Sequence, residues 1–310
     1  MARHSEDVKQ YLKSSLASNT RKAYTGDLKR FKQSGGRIPA TAEQVARYLA
    51  SAAEDLKPST LARQVAAISY AHEERGLQSP TKSPVVRRTL RGIRRSKGVA
   101  QKQATPITPA LVRSLVRPLK SQSDAQNRRD AALFLVAFAG GFRRSEVTSL
   151  CINDLTFKKQ GLLIRLRSSK TDQYQRGRDV AIPKAPDARY CPVGTLRRWL
   201  SILEAAERAG LIIAVDQPVF CGIDKHGNFG KSLNSASVGW LLRKRLKLHG
   251  YAPEGFTAHS LRAGLVTSAA RAGVPVWAIQ RQTGHRSEST VHRYIRGLGA
   301  FEHNAASALL

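Results

Sequence analysis

Hydrophobic positions recur with a helical period through the first hundred residues. In NTRKAYTGDLKRFKQSGG (19–36), Tyr24, Leu28 and Phe31 fall three and four residues apart, with Asn19 or Thr20 as N-cap and a Gly-Gly stop. TAEQVARYLASAAEDL (41–56) opens on Thr41 and carries Glu43 in its first turn, where the helix dipole favours an acid. KPSTLARQVAAISYAHEERG (57–76) places Leu61, Val65, Ile68 and Ala71 on one face and ends at Gly76. SPVVRRTLRGIRRSKG (83–98) has an apolar stripe of Val86, Leu90 and Ile93. Arg87, Arg88, Arg91, Arg94, Arg95 and Lys97 cover the rest, which gives a core side and a phosphate-facing side. The bland alternative for that surface is a solvated charged face.

GVAQKQATPITPALV (98–112) interrupts the pattern with a glycine, a polar run and prolines, and predicts a linker. We place one domain at 1–103 and a second at 104–310. The second reads as mostly helical with one small sheet. Helices are expected at 108–119 and at 124–140, where AALFLVAFAGGF is apolar enough for a central core. GLLIRLRSSKTDQYQRGRDVAIP predicts two strands, near 162–167 and 178–182, joined by a polar loop. Helices follow at 192–209, 235–249, 257–272, 275–283 and 287–297, and a small-residue helix in EHNAASALL (302–310).

Charge changes the picture. Among 310 residues, 52 Lys and Arg against 22 Asp and Glu give a net charge of +30. Such an excess favours a polyanionic partner, duplex DNA above all; a histone-like or ribosomal phosphate neutraliser is the plain alternative. The basic residues spread along the whole chain rather than clustering, which argues against a membrane surface. Neither an export signal nor a run of about 18 apolar residues is evident, and Cys151, Cys191 and Cys221 show no metal-type spacing. A reduced, cytoplasmic, DNA-associated protein without a metal is the expectation.

Three short stretches could carry chemistry. In FTAHSLRAGLV, Thr257 can cap a helix on which His259 and Arg262, three apart, share a face; together they suit a phosphate. In AGGFRRSEV, two glycines end the apolar helix and Arg143 follows, before a new helix near Ser145; Glu146 can hold a neighbouring cation. In TGHRSESTVHRYIRG, Tyr294 sits among basic residues and His285 precedes it. Each stretch alone is compatible with an ordinary packed histidine, surface ion pair or helix tyrosine.

Taken together and in order, GFRRSE, a lysine in a β-hairpin, HSLR, TGH and a tyrosine resemble the catalytic domain of the tyrosine site-specific recombinases of the phage integrase family. The stretch from AARAGVPVWAIQRQTGH to YIRGLGAFE most resembles the Cre-type members. The resemblance implies a mainly α protein: a helical core-binding (SAM-like) domain, then a mixed α+β catalytic domain with a small antiparallel sheet. It implies that Arg143 and Arg262 clamp the scissile phosphate and that Tyr294 is the nucleophile. His259 and His285 assist, Lys170 is the hairpin lysine and Glu146 supports the site. Lys158, Lys159 and Lys184 lie in the same stretch as Lys170 and compete for its role. The implied partners are double-stranded DNA bearing short inverted repeats and three further copies of the chain, with no cofactor and no membrane.

The chemistry agrees. A free phenol, with pKa about 10, is only about a thousandth ionised at neutral pH, so attack on a phosphodiester needs a base and cations. Exchange of one phosphodiester for another conserves bond energy and requires no nucleotide, and the chain has no glycine-rich phosphate loop. Two rivals remain at this stage. A type IB topoisomerase shares the residue set; against it speaks the tail after Tyr294, IRGLGAFEHNAASALL. That tail reads as a glycine-containing hinge and a small-residue helix suited to docking on a neighbouring copy, with a tail folded back in cis as the plain alternative. An architectural DNA binder would have kept the fold without the reaction.

Overall fold

The computed structural model describes residues 6–99, 103–167, 177–211 and 217–295. The chain divides into two compact units, Met1–Lys102 and Gln103–Leu310.

The first unit contains α1 (Glu6–Ser14), α2 (Ser18–Gln33), α3 (Ala42–Ala52), α4 (Pro58–Glu73) and α5 (Pro84–Lys97). The apolar periodicity of the sequence becomes its core: Phe31, Val45, Leu49, Leu61, Ile68 and Val86 are buried where α2 to α5 meet. Thr41 caps α3 by accepting from the Gln44 N–H at 3.2 Å. Asn19 and Thr20 do not cap α2. The Ala17 carbonyl already accepts from Arg21 N, so the helix starts at Ser18 and both residues lie in its first turn. Beneath the basic surface, Asp27 is buried and receives a two-pronged ion pair from Arg63 at 2.7 and 3.0 Å.

On α5, Val86 is buried, Leu90 and Ile93 are half-buried, and Arg87, Arg88, Arg91, Arg94 and Arg95 are exposed. Lys97 behaves differently from its neighbours. Its ammonium reaches back to the Ala53 carbonyl and, at 3.1 Å, to that of Glu54. It thereby satisfies unpaired carbonyls at the end of α3, where a cation is favoured.

The second unit is built around α7 (Asp124–Ala139), after α6 (Pro109–Leu115). Ser123 and Gln126 form a capping box at the start of α7, and the helix is buried from Arg129 to Ala137. It packs against α9 (Pro192–Arg208), whose Trp199 is fully buried and donates its indole N–H to Val219 O at 2.6 Å. α6 stops at Leu115, short of the expected 119. Pro118 disfavours helical geometry at Arg117. The freed Leu115 and Arg117 carbonyls accept from the fully buried Arg245 at 2.8 and 2.6 Å. Arg245 belongs to α10 (Ser235–Leu248) and also bonds Asn127 at 2.9 Å. Buried Asp130 takes two hydrogen bonds from Arg129 and lies 3.8 Å from Arg245.

Between α7 and α9 come α8 (Arg144–Thr148) and the strands β1 (Leu155–Phe157), β2 (Gly161–Leu166) and β3 (Arg178–Pro183). They form an antiparallel sheet in the order β1-β2-β3, with Gly161 opposite Pro183 and Leu166 opposite Arg178. The two expected strands are β2 and β3. β1, and a separate hairpin of β4 (Cys221–Ile223) and β5 (Phe229–Ser232), go beyond the single two-stranded sheet anticipated. The unit continues with α11 (His259–Arg271), α12 (Val276–Thr283) and α13 (Glu288–Ile295). The helix expected at 302–310 lies outside the described residues. Among those described, no helix is long and apolar enough to cross a membrane.

Candidate active site

α7 ends at Ala139, and Gly141 turns the chain with φ +59, a left-handed conformation that glycine adopts without strain. A Cβ there would come within 2.8 Å of Leu265 and Thr283 side-chain carbons, so the turn also requires glycine for space. The turn buries Phe142 and leaves Arg143 at the N-cap of α8. Glu146, only 2% exposed, accepts from the Arg143 backbone N–H at 2.9 Å and from its guanidinium at 2.5 Å. The acid expected to support Arg143 therefore holds it at both ends.

The first turn of α11 is fixed by reciprocal bonds. Thr257 Oγ1 accepts from His259 N at 3.2 Å, and Ser260 Oγ accepts from Thr257 N at 2.9 Å. Arg262, one turn on, is fully buried and donates Nη1 to the Gly141 carbonyl at 2.5 Å. Its Nε and Nη2 are buried without a hydrogen-bond partner. His259 Nε2 lies 2.5 Å from the hydroxyl of Tyr294 on α13. α12 ends at Gly284, φ +69, and hands the chain to His285, whose Nδ1 lies 2.7 Å from Thr283 Oγ1. The Tyr294 ring sits 6.0 Å from the His259 ring and 5.8 Å from that of His285.

These positions set the protonation states. Burial, reinforced by the Arg143 guanidinium, pulls Arg262 down to about 10, which still leaves it charged at neutral pH. Although His259 keeps an exposed face, desolvation of its ring and the charges of Arg262 and Arg143 lower its pKa. His285 falls to about 3, first through burial and then through Arg262, Arg143, His259 and Arg178. Burial raises the Tyr294 phenol, with Arg262, Arg293 and Arg143 opposing it. At neutral pH the pocket thus holds neutral imidazoles, a neutral phenol, and the guanidiniums of Arg143, Arg178 and Arg262 around the carboxylate of Glu146. Such an excess of positive charge suits an anion bearing several oxygens.

The structure brings together Arg143, Glu146, His259, Arg262, His285 and Tyr294. Lys170 falls outside the described residues, but its three competitors can be placed. Lys158 N pairs with Gly161 O, and Lys184 N with Gln160 O, at the end of the sheet opposite Leu166 and Arg178. Five strand steps separate the two ends, roughly 16 Å, so Lys158, Lys159 and Lys184 start from the wrong end of the sheet. The site end is the one at which Leu166 stands opposite Arg178.

Sequence reasoning missed Arg178, the first residue of β3. Its guanidinium donates to the Gln282 carbonyl at 2.9 Å and the Thr283 carbonyl at 3.3 Å, and lies 3.9 Å from Glu146 Oε2. One signal was available: Arg178 closely follows the loop that carries Lys170.

A cationic pocket backed by one carboxylate, with a phenol at its mouth, in a mainly helical unit with a small antiparallel sheet, fits an enzyme class that works on phosphodiesters. Residues 106–298 match the Phage integrase family, and the chain belongs to that family. It is 36% identical over 311 residues to the integrase/recombinase xerD homolog of Selenomonas ruminantium, covering 97% of this chain and 88% of that one. It is 25% identical over 278 residues to the recombinase cre of Escherichia phage P1, covering 84% and 77%. Cre is thus one of several relatives, alongside Xer recombinases. Among solved structures, the fold is similar to that of the Tn1549 transposon integrase in complex with a circular intermediate DNA (TM-score 0.62, 18% identity, 97% and 96% covered). It is also similar to that of the XerH site-specific recombinase bound to a palindromic difH substrate (TM-score 0.61, 19% identity, 87% and 72% covered). The relatives are tyrosine recombinases, and the protein is an enzyme of site-specific recombination.

Proposed function

We propose that the protein cleaves and rejoins double-stranded DNA at short inverted-repeat sites through a 3′-phosphotyrosyl intermediate on Tyr294. The observation that carries this reading is the 2.5 Å contact between Tyr294 Oη and His259 Nε2, beside the buried Arg262 with two guanidinium nitrogens left unpaired. His259, neutral and in hydrogen-bond reach, takes the phenol proton as the Oη–P bond forms and the P–O5′ bond breaks. The unpaired nitrogens of Arg262, with Arg143 held by Glu146, receive the non-bridging oxygens as charge gathers on them. Lys170, in the segment leaving the site end of β2, protonates the departing 5′-oxygen. Attack by the free 5′-hydroxyl of a second duplex reverses these steps and yields a Holliday junction. The reaction makes one phosphodiester for each it breaks, so it consumes no nucleotide, and the guanidiniums supply the charge stabilisation that metal ions supply in nucleases.

The net charge of +30 and the exposed arginines of α5 support duplex DNA as the partner. Exchange between two sites calls for four copies, one for each strand cut, and the segment at 302–310 is assigned to contacts between them. The deciding experiment uses a nicked suicide substrate from which the 5′-product is lost. Wild-type protein accumulates a covalent adduct, while Tyr294→Phe binds the DNA and forms none. An adduct with the phenylalanine variant refutes Tyr294 as nucleophile.

A further inference from the structure

Among the described cations of the pocket, Arg178 stands apart because both of its terminal nitrogens donate to backbone carbonyls. Nη1 and Nη2 are spent on the Gln282 and Thr283 carbonyls, and Nη2 also faces Glu146. Nε is buried without a hydrogen-bond partner, in the space beside Gly284 that a Cβ at that residue, 2.8 Å from Nε, would fill. Both terminal nitrogens of Arg178 are thus turned toward the protein rather than toward a ligand. The residue ties three elements together: β3 at the end of the hairpin, the last carbonyls of α12, and the carboxylate of α8 that holds Arg143. The terminal carbonyls of a helix lack partners in their own helix, and a cation there both satisfies them and matches the dipole. His285 leaves the same turn one residue beyond Gly284, and Gln282 braces the turn further through Ala139 O at 2.8 Å and Ala181 O at 3.1 Å.

We infer that Arg178 is a positioning residue for the cleavage reaction: it sets the 282–284 turn, and with Glu146 the guanidinium of Arg143, so that His285 and Arg143 converge on one phosphate. The inference rests on the proposed function above. A lysine at this position keeps the charge but not the fork that spans two carbonyls, whereas methionine keeps the bulk and loses both. The two contributions of Arg178, placing the turn and lowering the pKa of His285, can therefore be separated.

The test compares Arg178→Lys and Arg178→Met with wild type. It measures single-turnover adduct formation on the suicide substrate, DNA affinity in a Tyr294→Phe background, and the NMR titration of His285. The expected result is adduct formation slower by roughly 10²-fold in both variants, as for a displacement of about 1 Å at a reacting centre. DNA affinity should stay within about threefold, since phosphate contacts elsewhere supply most of it. The His285 pKa should rise in Arg178→Met and stay low in Arg178→Lys. Wild-type cleavage by Arg178→Lys overturns the inference even if the methionine variant fails to fold. Slow cleavage together with an unmoved His285 in Arg178→Met, explained by a lowered melting temperature alone, overturns it as well. An adduct formed by Tyr294→Phe instead defeats the proposed function and leaves the Arg178 comparison to be judged on its own rates.

Discussion

The hydroxyl of Thr283 donates to the Ile279 carbonyl at 2.6 Å and, with its one proton committed, accepts from His285 Nδ1 at 2.7 Å. The neutral imidazole of His285 therefore carries its proton on Nδ1 and a lone pair on Nε2. It can donate Nε2–H to a phosphate oxygen only after gaining a second proton. In the free protein the neighbouring guanidiniums hold its pKa near 3; a bound phosphate offsets them and draws the pKa up. Nitrogen-15 NMR of the Tyr294→Phe protein should show His285 as the Nδ1-H tautomer at pH 7, and doubly protonated once a DNA site is added. An Nε2-H tautomer in the free protein would contradict the Thr283 geometry.

The same residue shapes stability against pH. Its folded-state pKa of about 3 lies below the unfolded value near 6.5, so between these limits the unfolded chain binds more protons. Stability is complete above pH 6.5 and is lost as the pH falls toward 3. His259 and His249, both also lowered by burial first, act in the same direction. The melting temperature of the DNA-free protein should decline from pH 7 to pH 4.5, and less steeply in His285→Gln. An equal slope in the variant would remove His285 from the account.

With its phenol raised by burial, Tyr294 depends on a base at neutral pH. His259→Ala should slow adduct formation by roughly 10²- to 10⁴-fold at pH 7. The remaining rate should climb with pH through 9 as solvent takes over the deprotonation, whereas the wild-type rate levels off earlier. Parallel pH profiles would show that His259 is not the acceptor of that proton.

Arg262 is buried with two unpaired nitrogens among other cations, an arrangement that favours a bound anion over the empty protein. Replacing it with methionine should abolish detectable cleavage, yet raise the melting temperature of the DNA-free protein by about 3 °C, because a pKa pulled down to about 10 marks its buried charge as unfavourable in the folded state. The His259 and His285 pKa values should rise together. A marked fall in melting temperature would show that the Gly141 hydrogen bond outweighs the charge repulsion.

On α5, the exposed arginines and Lys97 should separate in their effects. Arg87→Ala with Arg91→Ala should weaken DNA binding on any sequence and reduce the salt slope by about one for each phosphate left without its cation. Lys97→Ala, which strips a cation from the end of α3, should lower stability by about 0.5 kcal/mol and leave the salt slope alone. Salt titrations by fluorescence anisotropy, paired with urea melts, distinguish the two.

What the sequence revealed follows from the range of the interactions involved. The apolar run of α7, the β2–β3 alternation and the three-residue spacing of His259 and Arg262 are local patterns, and each was legible. β4 and β5 are too short, in CGI and FGKS, to display a period. Arg178 is one of many arginines in a basic chain. Its role arises from the register that sets it opposite Leu166 and from carbonyls more than a hundred residues downstream. Lys97 reads as part of a basic face because nothing nearby in sequence announces the end of α3. The stop of α6 at Leu115 was hinted at by Pro118, but the buried arginine that receives its carbonyls comes from α10.

The helix bearing Tyr294 is not rooted in the main core. Val291 joins Val266 and Ile279 in a small apolar cluster of their own, with the Tyr294 ring at its edge. Among the described residues, that modest patch and the His259–Tyr294 hydrogen bond are what must open to lift α13, so its amide protons should exchange well before those of α7. The phenol is hung on a latch, while the guanidiniums are bolted to the frame.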